Sequence, residues 1–133
     1  MKDTPRLFSL AYSKKALVTL IGTSYDQLDC WGIVREFYRL HGLNLKEYYK
    51  DAPNNTEVSA GLISKYRSDF DEVTEPTYGD LILINLLGLP SHVAVYLKEG
   101  LILHTNKKTG CMIDKLSRWQ RQIVAYYRVR LND

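Results

Sequence analysis

The chain has 133 residues, a formal charge of +3 and an isoelectric point near 8.8. That length suits one domain over residues 1–133, large enough to bury a core without a metal or a disulfide framework. The basic residues are scattered (Lys14-Lys15, Lys107-Lys108, Arg118, Arg121, Arg128, Arg130) and not interleaved with aromatics, which argues against a nucleic-acid partner. No apolar run approaches the length of a membrane span. The mild basicity is compatible with an anionic substrate. The two cysteines, Cys30 and Cys111, suit a reducing compartment or one free reactive thiol. The N-terminal segment carries no signal-peptide pattern, so the expected location is the cytoplasm or a particle that carries the protein.

Residues 1–12 read as a loose start interrupted by Pro5. Ser13 caps an expected helix over Lys14 to Leu20, ended by Gly22. A polar approach, Gly22-Thr23-Ser24-Tyr25-Asp26, leads to Asp29 and Cys30. Ile33, Val34, Phe37 and Leu40 then recur at helical spacing, which predicts a helix over 30–41 with Gly42 as its stop. Asp29 is a good N-cap, so Cys30 falls in the first turn. The helix dipole and the free N–H groups there favour a thiolate, and a lowered thiol pKa is expected. A lone cysteine is more often a small buried apolar residue, so the reading depends on what else joins it.

Asn44 to Asn55 is polar and reads as a loop with room for one helical turn. Thr56 opens a second helical stretch through Val58, Leu62, Ile63 and Tyr66 that fades near Phe70. Pro76 and Gly79 mark a turn. From Leu81 the periodicity changes to strands: Leu81 to Leu87, a second around Val93 to Tyr96, Leu101 to Thr105, Cys111 to Ile113 and Ile123 to Leu131. Gly88 and Pro90 break the first two apart, and Ser117 to Gln120 reads as a helical turn. Helices first and an antiparallel meander second make an α+β fold, with N-terminal helices packed on an antiparallel sheet.

A cysteine nucleophile needs a base and a group to orient that base. His41 lies about three turns along the helix from Cys30, too far to serve, and reads as a solvent-facing residue at the helix C-terminus. His92 and His104 flank the turn Lys98-Glu99-Gly100. A three-residue loop with glycine last would set Leu97 against Leu101 and Ala94 against His104. His92 and His104 would then project from one face as diagonal neighbours. With Cys30 they can form a Cys-His-His relay. Zinc held by Cys30, His92 and His104 is the competing chemistry, but no short-spaced ligand pair is present, and no metal site is expected. Cys111 reads as structural, and Trp119, Tyr126 and Tyr127 as core aromatics.

The ordered set Gly22-Thr23-Ser24-Tyr25, Asp29-Cys30-Trp31-Gly32, Gly79-Asp80-Leu81, Ser91-His92-Val93-Ala94-Val95-Tyr96 and Leu103-His104 resembles the NlpC/P60 cysteine peptidases over about residues 16–130. The resemblance implies a papain-like core whose cysteine helix packs on the sheet carrying both histidines. It also implies hydrolysis of amide bonds in peptidoglycan stem peptides, near D-glutamate and diaminopimelate, without a cofactor. Carried over, Cys30 is the nucleophile, His92 the base and acid, and His104 the orienting residue. Tyr25, Asp29, Trp31 and Ser91 fall among the substrate-binding positions, with Asp29 receiving the substrate's free amine. The usual glycine-rich insert between tyrosine and cysteine is missing, and Trp31 replaces a serine, which is expected to crowd or line the cleft. The Asp-Cys-Trp-Gly form and small size are similar to peptidases encoded with phage tail genes, so tail proteins are expected partners. The alternatives are a thiol amidase or acyltransferase acting on a protein or lipid, and a structural tail component with a vestigial site.

Overall fold

The computed structural model describes residues 10–43, 45, 69–86 and 88–130. The expected loop over 44–55 and the helix from Thr56 lie outside those residues, except for Leu45, as does the loose start through residue 9. Helix α1 spans Lys14–Leu20 and is capped by Ser13, whose hydroxyl accepts from the Ala16 N–H. Helix α2 spans Cys30–Leu40, with Asp29 as its cap. It ends as the sequence predicts. Gly42 adopts φ 84°, and the N–H groups of Gly42 and Leu43 reach back to the carbonyls of Arg39 and Tyr38. That reversal satisfies two carbonyls that a helix end otherwise leaves open.

Six strands follow: β1 (Phe70–Val73), β2 (Leu81–Leu86), β3 (Leu89–Tyr96), β4 (Leu101–Asn106), β5 (Gly110–Lys115) and β6 (Ile123–Val129). They form one antiparallel sheet in the order β1-β6-β2-β3-β4-β5. The expected meander is therefore correct only from β2 to β5. Strand β6 returns across the sheet to pair with β2, and β1 adds an edge that the sequence reading took for the fading of a helix. The segment Phe70-Asp71-Glu72-Val73 is too short and acidic to announce a strand; its pairing with β6 creates one. Strand β3 also begins earlier than expected, at Leu89. Pro90 lies within it, opposite Asn85, where the β2–β3 register shifts. Proline is tolerated beside such an irregularity because the ladder has already lost a regular partner.

The apolar run of β2 is explained by cover on both faces. Leu81 and Leu83 face the helices, with Val93, Val95, Leu103 and Cys111, and pack on Leu17, Leu20, Ile33, Val34, Phe37 and Tyr38. Ile82 and Ile84 face the other way with Ala94 and Ile102, under Leu116, Trp119 and Tyr126. Leu116 and Trp119 belong to a 3-10 segment, Leu116–Gln122. At the far end of β2, Asp80 is wholly buried and receives two bonds from the Arg128 guanidinium, at 3.0 and 2.8 Å. It also accepts from the Thr77 N–H at 2.7 Å. The Gly79-Asp80-Leu81 motif is thus a structural clasp between β6 and the entry to β2. No described helix is long and apolar enough to cross a membrane.

Candidate active site

Cys30 opens α2 because Asp29 stops the preceding chain. Asp29 Oδ1 accepts from the Gly32 N–H at 2.9 Å and sets the first turn. Cys30 is buried, and the Val93 N–H donates toward its sulfur. That contact is possible because β3 and β4 pair at only two positions, Val95–Leu103 and Tyr96–Ile102, among the described residues. Beyond them the strands give up their ladder, and the thiol is held against β3 next to His92.

The hairpin itself follows the expected register. The Leu97 N–H bonds the Leu101 carbonyl at 2.8 Å, and Gly100 takes a left-handed φ of 76°. His92 and His104 emerge on one face, and His92 Nε2 lies 3.0 Å from His104 Nδ1. They share the parity of Ala94 and Ile102, on the face turned away from the helices. Cys30 belongs to the helix-side cluster, and the histidine pair lies on the other face of the sheet. His104 Nε2 in turn lies 3.3 Å from Asp114 Oδ2 on β5. The Trp119 ring lies tilted against His92 at 6.1 Å and edge-on to His104 at 5.3 Å between centroids, and its Nε1–H donates to Asp114. Trp119 packs on the second apolar cluster as expected, and its ring also flanks the histidine pair. Sequence reasoning missed Asp114 and the placement of Trp119. Continuing the β4–β5 pairing past Ile113 would have found Asp114, because it pairs with Ile102 and shares a face with His104.

The thiol departs from expectation. Burial pushes Cys30 up to about 12, and the nearby Asp29 charge adds to this; the N–H groups of Val93, Trp31 and Cys30 itself only partly oppose it. A rise from 9.0 to about 12 opposes the thiolate by about 4 kcal/mol, whereas a helix N-terminus returns at most about 2. Desolvation wins, and the resting sulfur is a neutral thiol. Burial also lowers the His92 pKa well below the usual imidazole range, and the neighbouring His104 lowers it further. His104 is lowered as well, by burial first, against the raising effect of Asp114. Both rings rest neutral at pH 7.

The remaining expected site residues separate. Tyr25 is brought to the site: burial raises its phenol, and the neighbouring Cys30 and Asp29 raise it further. Its loop is stitched to β5 by the Gly22 N–H to the Cys111 carbonyl at 2.9 Å, and by the Cys111 N–H to the Thr23 carbonyl at 2.8 Å. Gly110 permits this approach, since a Cβ there would stand 2.5 Å from the Thr23 oxygen. Asp29 is buried, and its Oδ2 has no hydrogen-bond partner among the described residues. Trp31, expected to crowd or line the cleft, is 2 % exposed and packed within the helix-side core. Ser91 lies in β3; its side chain is outside the description. His41, expected to face solvent, is half-buried: Nδ1 donates to the Phe37 carbonyl and Nε2 accepts from the Tyr78 hydroxyl. Cys111 is buried. Among the described residues, no three His, Cys, Asp or Glu side chains gather as a metal-holding group.

The family model for NlpC/P60 matches residues 19–128, from the end of α1 to the end of β6. The chain belongs to the NlpC/P60 family. Solved NlpC/P60 structures share its fold. One is a lipoprotein-like NLP/P60 protein from Staphylococcus aureus subsp. aureus Mu50, 22 % identical with a TM-score of 0.61 over 88 % of this chain and 40 % of that one. Another is the P60 domain of the M. avium subspecies paratuberculosis antigen MAP1204, at 16 %, 0.60, 87 % and 89 %. The fold is also similar to that of Ly7917, solved with the hydrolyzing product of MDP, at 13 %, 0.51, 86 % and 60 %. The chain spans less than half the length of the Staphylococcus aureus protein. No curated protein matches it. Membership of the NlpC/P60 family supports a cell-wall hydrolase at the level of the family.

Proposed function

We propose that this NlpC/P60 chain is a cysteine endopeptidase that cleaves amide bonds of peptidoglycan stem peptides. The observation that carries the reading is the 3.0 Å contact between His92 and His104 beside a thiol at a helix start. In this scheme the Cys30 proton passes to His92 as the sulfur attacks the amide carbonyl. The oxyanion is held by N–H groups at the start of α2, including that of Cys30. His92 then returns the proton to the leaving amine, the C–N bond breaks, and a thioester remains on Cys30. Water, deprotonated by His92, attacks the thioester and releases the carboxylate product and the thiol. Because thiol and imidazole both rest neutral, proton transfer accompanies attack rather than preceding it. No cofactor enters the scheme.

The buried, unpartnered Oδ2 of Asp29 supports its part in receiving a substrate ammonium, since an unsatisfied buried carboxylate oxygen is costly without one. Tyr25, whose phenol feels both Cys30 and Asp29, fits the substrate side of the same cleft. Cleavage next to D-glutamate and diaminopimelate, and delivery on a phage tail particle, rest on the motif resemblance. The test is digestion of purified peptidoglycan and isolated stem peptides by wild type beside Cys30→Ala, with products identified by mass spectrometry. A cut made by wild type alone supports the peptidase and names the bond. Equal product from Cys30→Ala refutes the mechanism.

A further inference from the structure

The carboxylate behind the histidines has no role in the Cys-His-His scheme, yet its position decides which nitrogens carry protons. Asp114 is held from three sides. The Lys115 N–H donates to Oδ1 at 2.8 Å, Trp119 Nε1–H donates to Oδ2 at 3.3 Å, and the Arg118 guanidinium lies 3.5 Å from Oδ1. The fourth partner is His104 Nε2, 3.3 Å from Oδ2. These are the charged and titratable groups that face it: His104 from β4, and Arg118 from the 3-10 segment. Burial alone would raise the carboxyl; the Lys115 N–H, the indole, His104 and Arg118 outweigh it and hold Asp114 below the usual carboxylate range. Asp114 is therefore an acceptor only.

The proton positions follow in sequence. An ionised Asp114 requires a hydrogen on His104 Nε2. His104 is neutral, so its Nδ1 is bare and can only accept. His92 must then donate through Nε2, and being neutral it keeps Nδ1 bare. That is the nitrogen left to take a proton from the cysteine.

We infer that Asp114 is a positioning residue, which sets the tautomer of His104 and through it leaves His92 Nδ1 free to act as base. The inference rests on the proposed role of His92. Trp119 serves the same end by flanking both rings and bonding the carboxylate, so that neither histidine can turn over. Without Asp114, His104 can move its hydrogen to Nδ1. It would then donate to His92 Nε2, placing the His92 hydrogen on Nδ1 and blocking the base. Outer partners that orient a metal-bound histidine are worth about 10–100-fold, and an effect of the same order is expected here.

The test is 15N-resolved histidine NMR at neutral pH, with alkylation of Cys30 by iodoacetamide across pH, for wild type, Asp114→Ala and Asp114→Asn. His41 lies outside the relay and serves as an internal reference. Wild type should show His92 and His104 protonated on Nε2. Asp114→Ala should populate the Nδ1–H forms, with kcat on stem peptide falling about 10–100-fold and KM little changed. Asp114→Asn keeps a neutral acceptor of the same shape, so its tautomers and rates should lie between; if Asp114→Ala fails to fold, this variant decides. Wild-type His92 protonated on Nδ1, or variants with unchanged tautomers and alkylation profile, would overturn the inference. NMR and alkylation need no substrate. A tautomer shift in a protein that leaves peptidoglycan intact would keep Asp114's role and sink the peptidase reading instead.

Discussion

The two faces of the sheet are built on different principles. The helix side is dry and apolar: Phe37 and Tyr38 are fully buried against Leu81, Leu83, Val93 and Val95. The opposite face also begins apolar, with Ile82, Ile84, Ala94 and Ile102, but ends in a polar line from His92 through His104 to Asp114 under Trp119. One face packs the helices and holds the cysteine; the other carries the histidine–carboxylate line. The gap in the β3–β4 ladder joins them.

That division can be broken by mutation. Removing the Phe37 ring should cost about 3–5 kcal/mol of stability, measured by urea denaturation. Asp80→Ala should cost less, about 1–3 kcal/mol, because the Thr77 N–H loses its acceptor while Arg128, a quarter exposed, can turn to water. Either variant, where still folded, should keep a normal histidine NMR signature. A stable Phe37→Ala protein would mean that the helix side does not carry the fold.

Gly110→Ala acts between the two faces. Its φ of 70° and the 2.5 Å approach to the Thr23 carbonyl both disfavour a side chain. A loss of about 1–3 kcal/mol is expected, together with a raised KM as the Tyr25 loop shifts. An unchanged KM would separate that loop from the substrate.

Acid sharpens the comparison, because the titrating pair lies on one face alone. His92 and His104 have folded pKa values below the unfolded value of about 6.5. Below that pH the unfolded chain binds protons that the folded one refuses. Their contribution is therefore complete above pH 6.5 and is lost as pH falls, by up to about 1.4 kcal/mol per pH unit for each histidine. His92→Gln should flatten this slope in denaturation series between pH 7 and 5; an unchanged slope would contradict the buried neutral pair. The smallest effect is expected at the sheet edge, where Arg130→Ala breaks an exposed pair with Asp71 and should leave the denaturation midpoint unmoved.

What could be read in the sequence followed the range of the interactions. The Asp29 cap, the Gly42 stop and the Lys98-Glu99-Gly100 turn are decided within a few residues, and from that turn the facing of His92 and His104 follows by counting. The β1–β6–β2 pairing joins segments about 40 to 60 residues apart, and nothing in Phe70-Asp71-Glu72-Val73 announces it. Asp114, followed by Lys115, has the look of a solvated strand end; only the register of β5 on β4 turns it toward His104. The thiol departs from its sequence expectation for a related reason. The helix start is visible in sequence, but the desolvation that outweighs it comes from distant packing.

The most direct measurement is to trap the intermediate. Wild type mixed with a stem peptide, acid-quenched within its first turnovers and analysed by intact and peptide mass spectrometry, should carry the acyl half of the substrate as a thioester on Cys30. Cys30→Ala should carry none. Turnover by wild type with no adduct on Cys30 under conditions where acylation outruns hydrolysis, or product from the Cys30→Ala chain, would contradict nucleophilic catalysis by this cysteine.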